Sequence, residues 1–298
     1  MKNENFRKAF SLVELSIVIF IIALLVGAIS TGSRVISNSK ISTAQTLTKS
    51  SPVTDNDGLI FWVETTMPQS IANTQADNNK TVTTWFDLGP EKNNATAGGA
   101  PTYISNAING LPALRFNGSS AFLNYDGTRL ANSDYTIFVV EQRRADYTNR
   151  NLFLGGSTAS ANANLSLGYS ESAYGTKIFF DHYNNTMMYY VDLYTAPIPR
   201  VHSFLFTTSP NNPNANYGKI AYTNGVLQGL ACLPDCGSVN QNPLSSYNGA
   251  MIGRYYDGVF KYYTGDIGEI IIFNKMLNDT QRRAIEQYLG KKWGVTIS

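Results

Sequence analysis

The apolar positions of this 298-residue chain fall into three regimes. Phe10 to Ile29 is an unbroken apolar stretch interrupted by a single charge, Glu14. About twenty helical residues at 1.5 Å each span roughly 30 Å, the hydrocarbon thickness of a bilayer, so this segment is expected to cross a membrane. From Thr31 to Lys49 the apolar positions thin out to Val35, Ile36, Ile41, Ala44 and Leu47. That spacing predicts a narrow helical stripe continuing the first helix. Ser50-Ser51-Pro52 ends it, because proline removes a donor and disfavours helix just before itself.

Residues 51–57 read as a linker, and from Gly58 onward the pattern changes to short β-like runs between Gly, Asn, Asp and Pro clusters. The runs are Leu59 to Val63, Tyr135 to Val140, Leu165 to Tyr169, Lys177 to Asp181, His202 to Thr207, Tyr217 to Thr223 and Gly265 to Phe273. Tyr135 to Val140 is nearly continuous apolar, as a strand covered on both faces should be. Asn224-Gly225 before Val226 is a hairpin signal. The chain closes with a helix in which Asn278 and Gln281 form a capping pair and Gly294 is the stop. Its apolar face is Ile285, Tyr288, Leu289 and Trp293, with Arg282, Arg283, Lys291 and Lys292 mostly off it. The expected fold is mainly β, an antiparallel jelly-roll or similar sandwich over 58–298, preceded by a long helix over 10–50 and followed by a short one.

Charge adds little to this picture. Lys2, Arg7 and Lys8 against Glu4 make residues 1–9 a basic leader, as expected for a cytoplasmic end. Removing it takes away three cations and one anion and brings the formal charge from +2 to zero. Nothing in the body is polybasic, so composition points to no nucleic-acid partner.

A carboxylate inside an apolar span needs a reason to be there. Ala9-Phe10-Ser11-Leu12-Val13-Glu14-Leu15 resembles the prepilin leader junction of type IV pilins and pseudopilins. The resemblance implies cleavage by a prepilin peptidase between Ala9 and Phe10, N-methylation of Phe10, and pairing of Glu14 with a neighbouring subunit's amino terminus. The family usually has Gly before the cut, where this chain has Ala9. Two other readings stay open: a secretory signal cut near Gly27-Ala28-Ile29-Ser30, and an ordinary single-span anchor.

The body carries a second resemblance, to the laminin-G-like, concanavalin-type lectin/glucanase sandwich. Its residues are Trp85-Phe86-Asp87-Leu88-Gly89, Asn109 to Gly118, Tyr135 to Val140, Gly265 to Asn274, and Gln281 to Leu289 with Lys292-Trp293-Gly294. Relatives of that sandwich hold calcium; Asp126, Asp134, Asp181 and Asp257 are carboxylates for it, but none sits in a calcium-loop pattern, so no metal or other cofactor is placed.

Catalysis by a glycosidase needs two carboxylates roughly 5 to 10 Å apart. Asp266 and Glu269 are spaced by three, which on a regular strand puts them on opposite faces. Glu141 is alone on its run, and His182 and His202 read as ordinary loop and strand residues. The chain is therefore expected not to be an enzyme. Sugar binding would use exposed rings, and Tyr183, Tyr255, Tyr256, Tyr262 and Tyr263 are the candidates. Cys232 and Cys236, the chain's two cysteines, are expected to form a disulfide outside the cytoplasm.

Together these readings give a minor pilin-like subunit, held in a bacterial inner membrane and then assembled with other pilin subunits into a filament. Its head would display a lectin-like sandwich for adhesion to a glycan or surface. A type II secretion pseudopilin is the alternative, and a surface-anchored polysaccharide hydrolase a third class.

Overall fold

The computed structural model describes residues 12–145, 151–169, 176–191, 195–232, 237–255 and 261–298. Ala9, Phe10, Cys236, Tyr256 and Asp257 lie outside the described residues. The chain divides into two compact units, Met1–Ser42 and Thr43–Ser298.

Helix α1 (Leu12–Lys49) makes up the first unit as described, with Glu14 in its first turn. Its apolar side chains are exposed, Phe20 at 63% and Ile29 at 70% among them. A window with mean hydropathy 2.9 makes α1 long and apolar enough to span a membrane. The last residues of α1, from Thr43, belong to the second unit, where Ala44 and Thr48 are buried.

The second unit is built on two antiparallel sheets of eight strands each. The first contains β1 (Leu59–Glu64), β4 (Thr102–Ile108), β5 (Leu111–Asn117), β7 (Tyr135–Arg143), β12 (Pro199–Phe206), β13 (Lys219–Thr223), β14 (Val226–Leu227) and β16 (Thr264–Phe273). Its order is β14-β13-β12-β7-β16-β5-β4, with β1 also pairing β16. The second contains β2 (Thr84–Trp85), β3 (Ala95–Gly99), β6 (Phe122–Tyr125), β8 (Asn151–Gly156), β9 (Ser166–Tyr169), β10 (Lys177–Asp181), β11 (Thr186–Tyr190) and β15 (Ala250–Ile252). Its order is β11-β10-β9-β8-β15-β6-β3-β2. Ile137, Val139, Phe204, Ile270 and Ile272 of the first sheet share one core cluster with Phe153, Leu167, Ile178 and Phe180 of the second. Residues 51–57 are mostly turn in this unit, and Val53 is fully buried.

Strand β16 departs from regular alternation. Ile267 pairs with Glu141 and Glu269 with Val140, so one residue, Gly268, is extra. This bulge puts Asp266 and Glu269 on the same face of the sheet, away from the shared core, where regular spacing would have separated them. Gly268 is also where Trp293 lies: a Cβ there would come within 2.5 Å of the indole.

Helix α2 (Asp279–Trp293) packs on the first sheet, against β12 and β7. The Asn278–Gln281 capping box is formed, and Gly294 closes the helix at φ 66°. Ile285, Tyr288, Leu289 and Trp293 are buried as their spacing predicts. Arg282 and Lys292 are buried too, contrary to the sequence expectation. The reason is charge: Arg282 meets Glu286, and Lys292 meets Glu64 and Glu269.

Candidate functional site

Two adjoining chambers, of about 580 and 520 Å³, open beside the amino-terminal part of the second unit. They share Thr54, Leu88 and Lys92, and so form one groove. Trp62, Phe86, Met67, Gln69, Asn94 and Lys49 line the first chamber. Asp57, Glu91 and Arg129 line the second. Both volumes are in the ordinary range for small-molecule sites.

The loop from Phe86 to Asn94 is fixed by its own polar groups. The Asp87 carboxylate accepts from Trp62 N at 2.7 Å, Gly89 N at 2.8 Å and Asn93 N at 2.9 Å. Asn94 Oδ1 accepts from Asp87 N, and Asn93 exchanges two hydrogen bonds with the Asp126 backbone. Glu91 pairs with Arg129 at 2.7 Å. Lys92 is held at φ 54°, a left-handed conformation that costs a non-glycine residue about 1 kcal/mol. The groove wall is thus set before any ligand arrives.

Behind Trp62 lies a buried ionic network. Lys292 Nζ donates at 2.8 Å to both Glu64 Oε2 and Glu269 Oε2. Trp62 Nε1, Tyr288 Oη and Trp293 Nε1 each donate to Glu269 at 2.8 Å. Glu64 also accepts from Thr66, Met67 and Ser70. Burial would raise the Glu64 carboxyl, but the Lys292 ammonium and the Thr66 hydrogen bonds outweigh it and hold it below its ordinary 4.5. Burial lowers Lys292, yet Glu269 and Glu64 raise it above its ordinary 10.5. The two carboxylates are close, as a glycosidase pair would be, but one ammonium stands between them and none of the three is exposed. They position Trp62 and α2 rather than face a substrate.

A second buried acid sits between the sheets. Glu141 accepts from Tyr169 at 2.7 Å and from Tyr263, and lies 3.1 Å from His202 Nε2. Burial alone would raise it; His202, Tyr263 and Arg200 bring it below its ordinary value. Glu141 is therefore well partnered, not isolated as its run implied, but it is sealed from solvent.

The described tyrosines named from sequence do not gather into one exposed site. Tyr263 is fully buried and donates inward to Glu141, and Tyr255 is 1% exposed, so neither presents a ring for stacking. Half-buried Tyr183 stacks on Tyr255, their centroids 6.5 Å apart. Tyr262 packs edge-on against Phe122 under Arg254. Asp126, Asp134 and Asp181 are occupied by neighbouring hydroxyl and N–H donors. Among the described residues no three His, Cys, Asp or Glu side chains gather as a metal site would require. Cys232 is disulfide-bonded. The groove itself was missed in the sequence, although Trp85-Phe86-Asp87-Leu88-Gly89 followed by Pro90-Glu91-Lys92-Asn93-Asn94 marks a polar turn beside aromatic residues.

No protein-family model matches the chain, and no curated protein does. Solved structures do. A Trypanosoma rangeli sialidase in complex with sialic acid is similar at TM-score 0.51 and 14% identity, over 82% of this chain and 34% of that one. A GH54 α-L-arabinofuranosidase mutant soaked with 4-nitrophenyl α-L-arabinofuranoside is similar at TM-score 0.51 and 15% identity, over 72% of this chain and 52% of that one. An arabinofuranosidase complexed with arabinofuranosyl-α-1,2-xylobiose matches to the same extent. The chain spans about a third of the sialidase and about half of the arabinofuranosidases.

Identities this low show the fold alone. They still overturn two sequence expectations, that the chain is a pilin-like or pseudopilin subunit and that it is not an enzyme. The fold read as a passive display module is one found in proteins named for cleaving glycosidic bonds. The physical ground for excluding catalysis also fails. It rested on strand alternation at Asp266 and Glu269, which the Gly268 bulge breaks, and it left the groove carboxylates out.

Proposed function

We propose that this chain is a membrane-anchored carbohydrate-active protein of the glycoside-hydrolase kind, taking saccharide into the groove lined by Trp62 and Phe86. One observation carries the reading: a single groove combines the half-buried Phe86 ring and the edge of the mostly buried Trp62 with amide and hydroxyl groups and two exposed carboxylates. A pyranose ring offers an apolar face to aromatic carbon, and Gln69, Asn94 and Thr54 are suited to its hydroxyls. Asp57 and Glu91 supply the pair of carboxyl groups that glycosidic hydrolysis requires, with Arg129 orienting Glu91. Trp62 is a positioning residue held by Glu269.

The test is release of reducing ends from a polysaccharide panel by the detergent-solubilised chain. Asp57→Asn and Glu91→Gln are each expected to cut the rate by about 10²-fold or more while saccharide is still bound. Failure of the chain to bind any saccharide would overturn the whole reading. Binding without cleavage would overturn its catalytic half.

The remaining parts of the proposal concern placement. Helix α1 would anchor the chain in a membrane with the second unit outside the cytoplasm. A prepilin-type peptidase would remove the leader before Phe10, and an N-terminal sequence starting at Met1 would refute that step. Crossing from sheet to sheet at β5–β6, β6–β7, β7–β8 and β15–β16 supports a jelly-roll connectivity.

A further inference from the structure

The first chamber is unbalanced in charge. Lys49, from the last turn of α1, and Lys92 both line it, and both are exposed. Neither has an ion-pair partner among the described residues. The carboxylate lining the same chamber, Asp87, is 4% exposed and takes three backbone N–H donors, so it does not answer them. Next door, Glu91 is already engaged by Arg129. Lys92 is kept at the chamber boundary by a backbone conformation that lysine seldom adopts, in a loop pinned on both sides by Asn93 and Asp87. Backbone strain preserved in a binding wall is evidence that the side chain's position matters.

We infer that the groove selects an acidic saccharide, one bearing a carboxylate or sulfate that Lys49 and Lys92 hold beside the half-buried Phe86 ring. This rests on the saccharide reading of the groove and narrows it to a substrate class. A neutral sugar filling the chamber would take two ammonium groups partly out of water with no counter-charge, which is costly. An anionic group satisfies both, through charge-assisted hydrogen bonds about twice as strong as neutral ones. Asn94, Gln69 and Thr54 then meet the hydroxyls of the same ring.

The experiment is calorimetric titration of the detergent-solubilised full chain with three matched pairs. These are oligogalacturonate and its methyl ester, sialyllactose and lactose, and chondroitin sulfate oligosaccharide and its desulfated, carboxyl-reduced form. At least one acidic member is expected to bind about tenfold or more tightly than its neutral partner. That advantage should shrink at 1 M salt, where the screening length falls to about 3 Å. In a Lys49→Gln/Lys92→Gln variant with unchanged near-ultraviolet circular dichroism, acid and neutral forms should bind alike. Preference for a carboxylate pair or for the sulfate pair identifies which anion is read. Equal binding of acid and neutral members by the wild type, lost in Phe86→Ala, would overturn the acidic class and leave the saccharide reading standing. Absence of binding to every member, together with silence on the polysaccharide panel, would sink both.

Discussion

Lys292 Nζ lies 2.8 Å from Glu64 Oε2, a contact that ties the last helix to the first strand across 228 residues of chain. With Glu269 on its other side, the ammonium joins β1, β16 and α2 at one buried point. Removing one member of such a network strands the others without compensation. Lys292→Ala is expected to cost about 3–5 kcal/mol in urea unfolding of the second unit, whereas replacing all three charges by apolar residues of similar volume should cost much less. Equal losses in the two variants would show that packing, and not charge, holds this point.

Lys219 gives a pH dependence of definite sign. It is fully buried between Phe180 and Phe206 and donates to Asn185 Oδ1 at 3.0 Å. Burial brings it from its ordinary 10.5 down to about 7, with Asp181 opposing the shift and His182 also nearby. Between those two values the unfolded chain holds the proton more tightly than the folded one. Stability is therefore lost as pH falls through that window and regained as it rises. The melting temperature of the second unit should climb from pH 7 to pH 9, and Lys219→Met should flatten the slope. An unchanged slope would assign the effect to other groups.

Gly268→Ala tests the bulge. Its new methyl would meet the Trp293 ring at 2.5 Å, and overpacking of a filled site costs about 1–3 kcal/mol. Tryptophan fluorescence should shift with the loss of stability. A neutral substitution would mean that α2 can slide.

Trp62→Phe keeps a ring in the groove but deletes the donor to Glu269. A hydrogen bond to a charged group is worth about 1.5–3 kcal/mol, and the loss should appear in the melting curve. Saccharide affinity should fall less than in Trp62→Ala, because aromatic carbon remains. If the two variants bind equally weakly, the indole's anchoring and not its surface is what the ligand needs.

Local signals were the readable ones. The Lys177–Asp181 strand, the Asn224-Gly225 hairpin and the Asn278–Gln281 cap depend on neighbours within a few residues, and all three are formed. What escaped depends on partners far apart in sequence. Arg282 and Lys292 look like surface residues until Glu286, Glu64 and Glu269 are placed against them. The groove is assembled from the end of α1, the turns at Thr54 and Asp57, strand β1 and the loop after β2, and no single stretch announces it. The burial of Tyr255 and Tyr263 was not legible because abundance of tyrosine says nothing about facing: Tyr263 turns inward to Glu141. At β16 a glycine inside an apolar strand was the available sign of a bulge, but residue spacing alone treats the strand as regular.

That extra residue also gives β16 a tolerance that the paired residues around it lack. On its two sides the strand is in opposite phase, so that Asp266 meets Arg115 and Glu269 meets Lys292 on one shared surface. Deleting Gly268 would restore regular alternation with the flanking side chains still on their present faces, because Ile267 and Glu269 already pair with consecutive residues of β7. Ile267, Ile270 and Ile272 would all stay in the core. A one-codon loss at this point is therefore expected to be less damaging than loss of Ile270, which would turn the rest of the strand over.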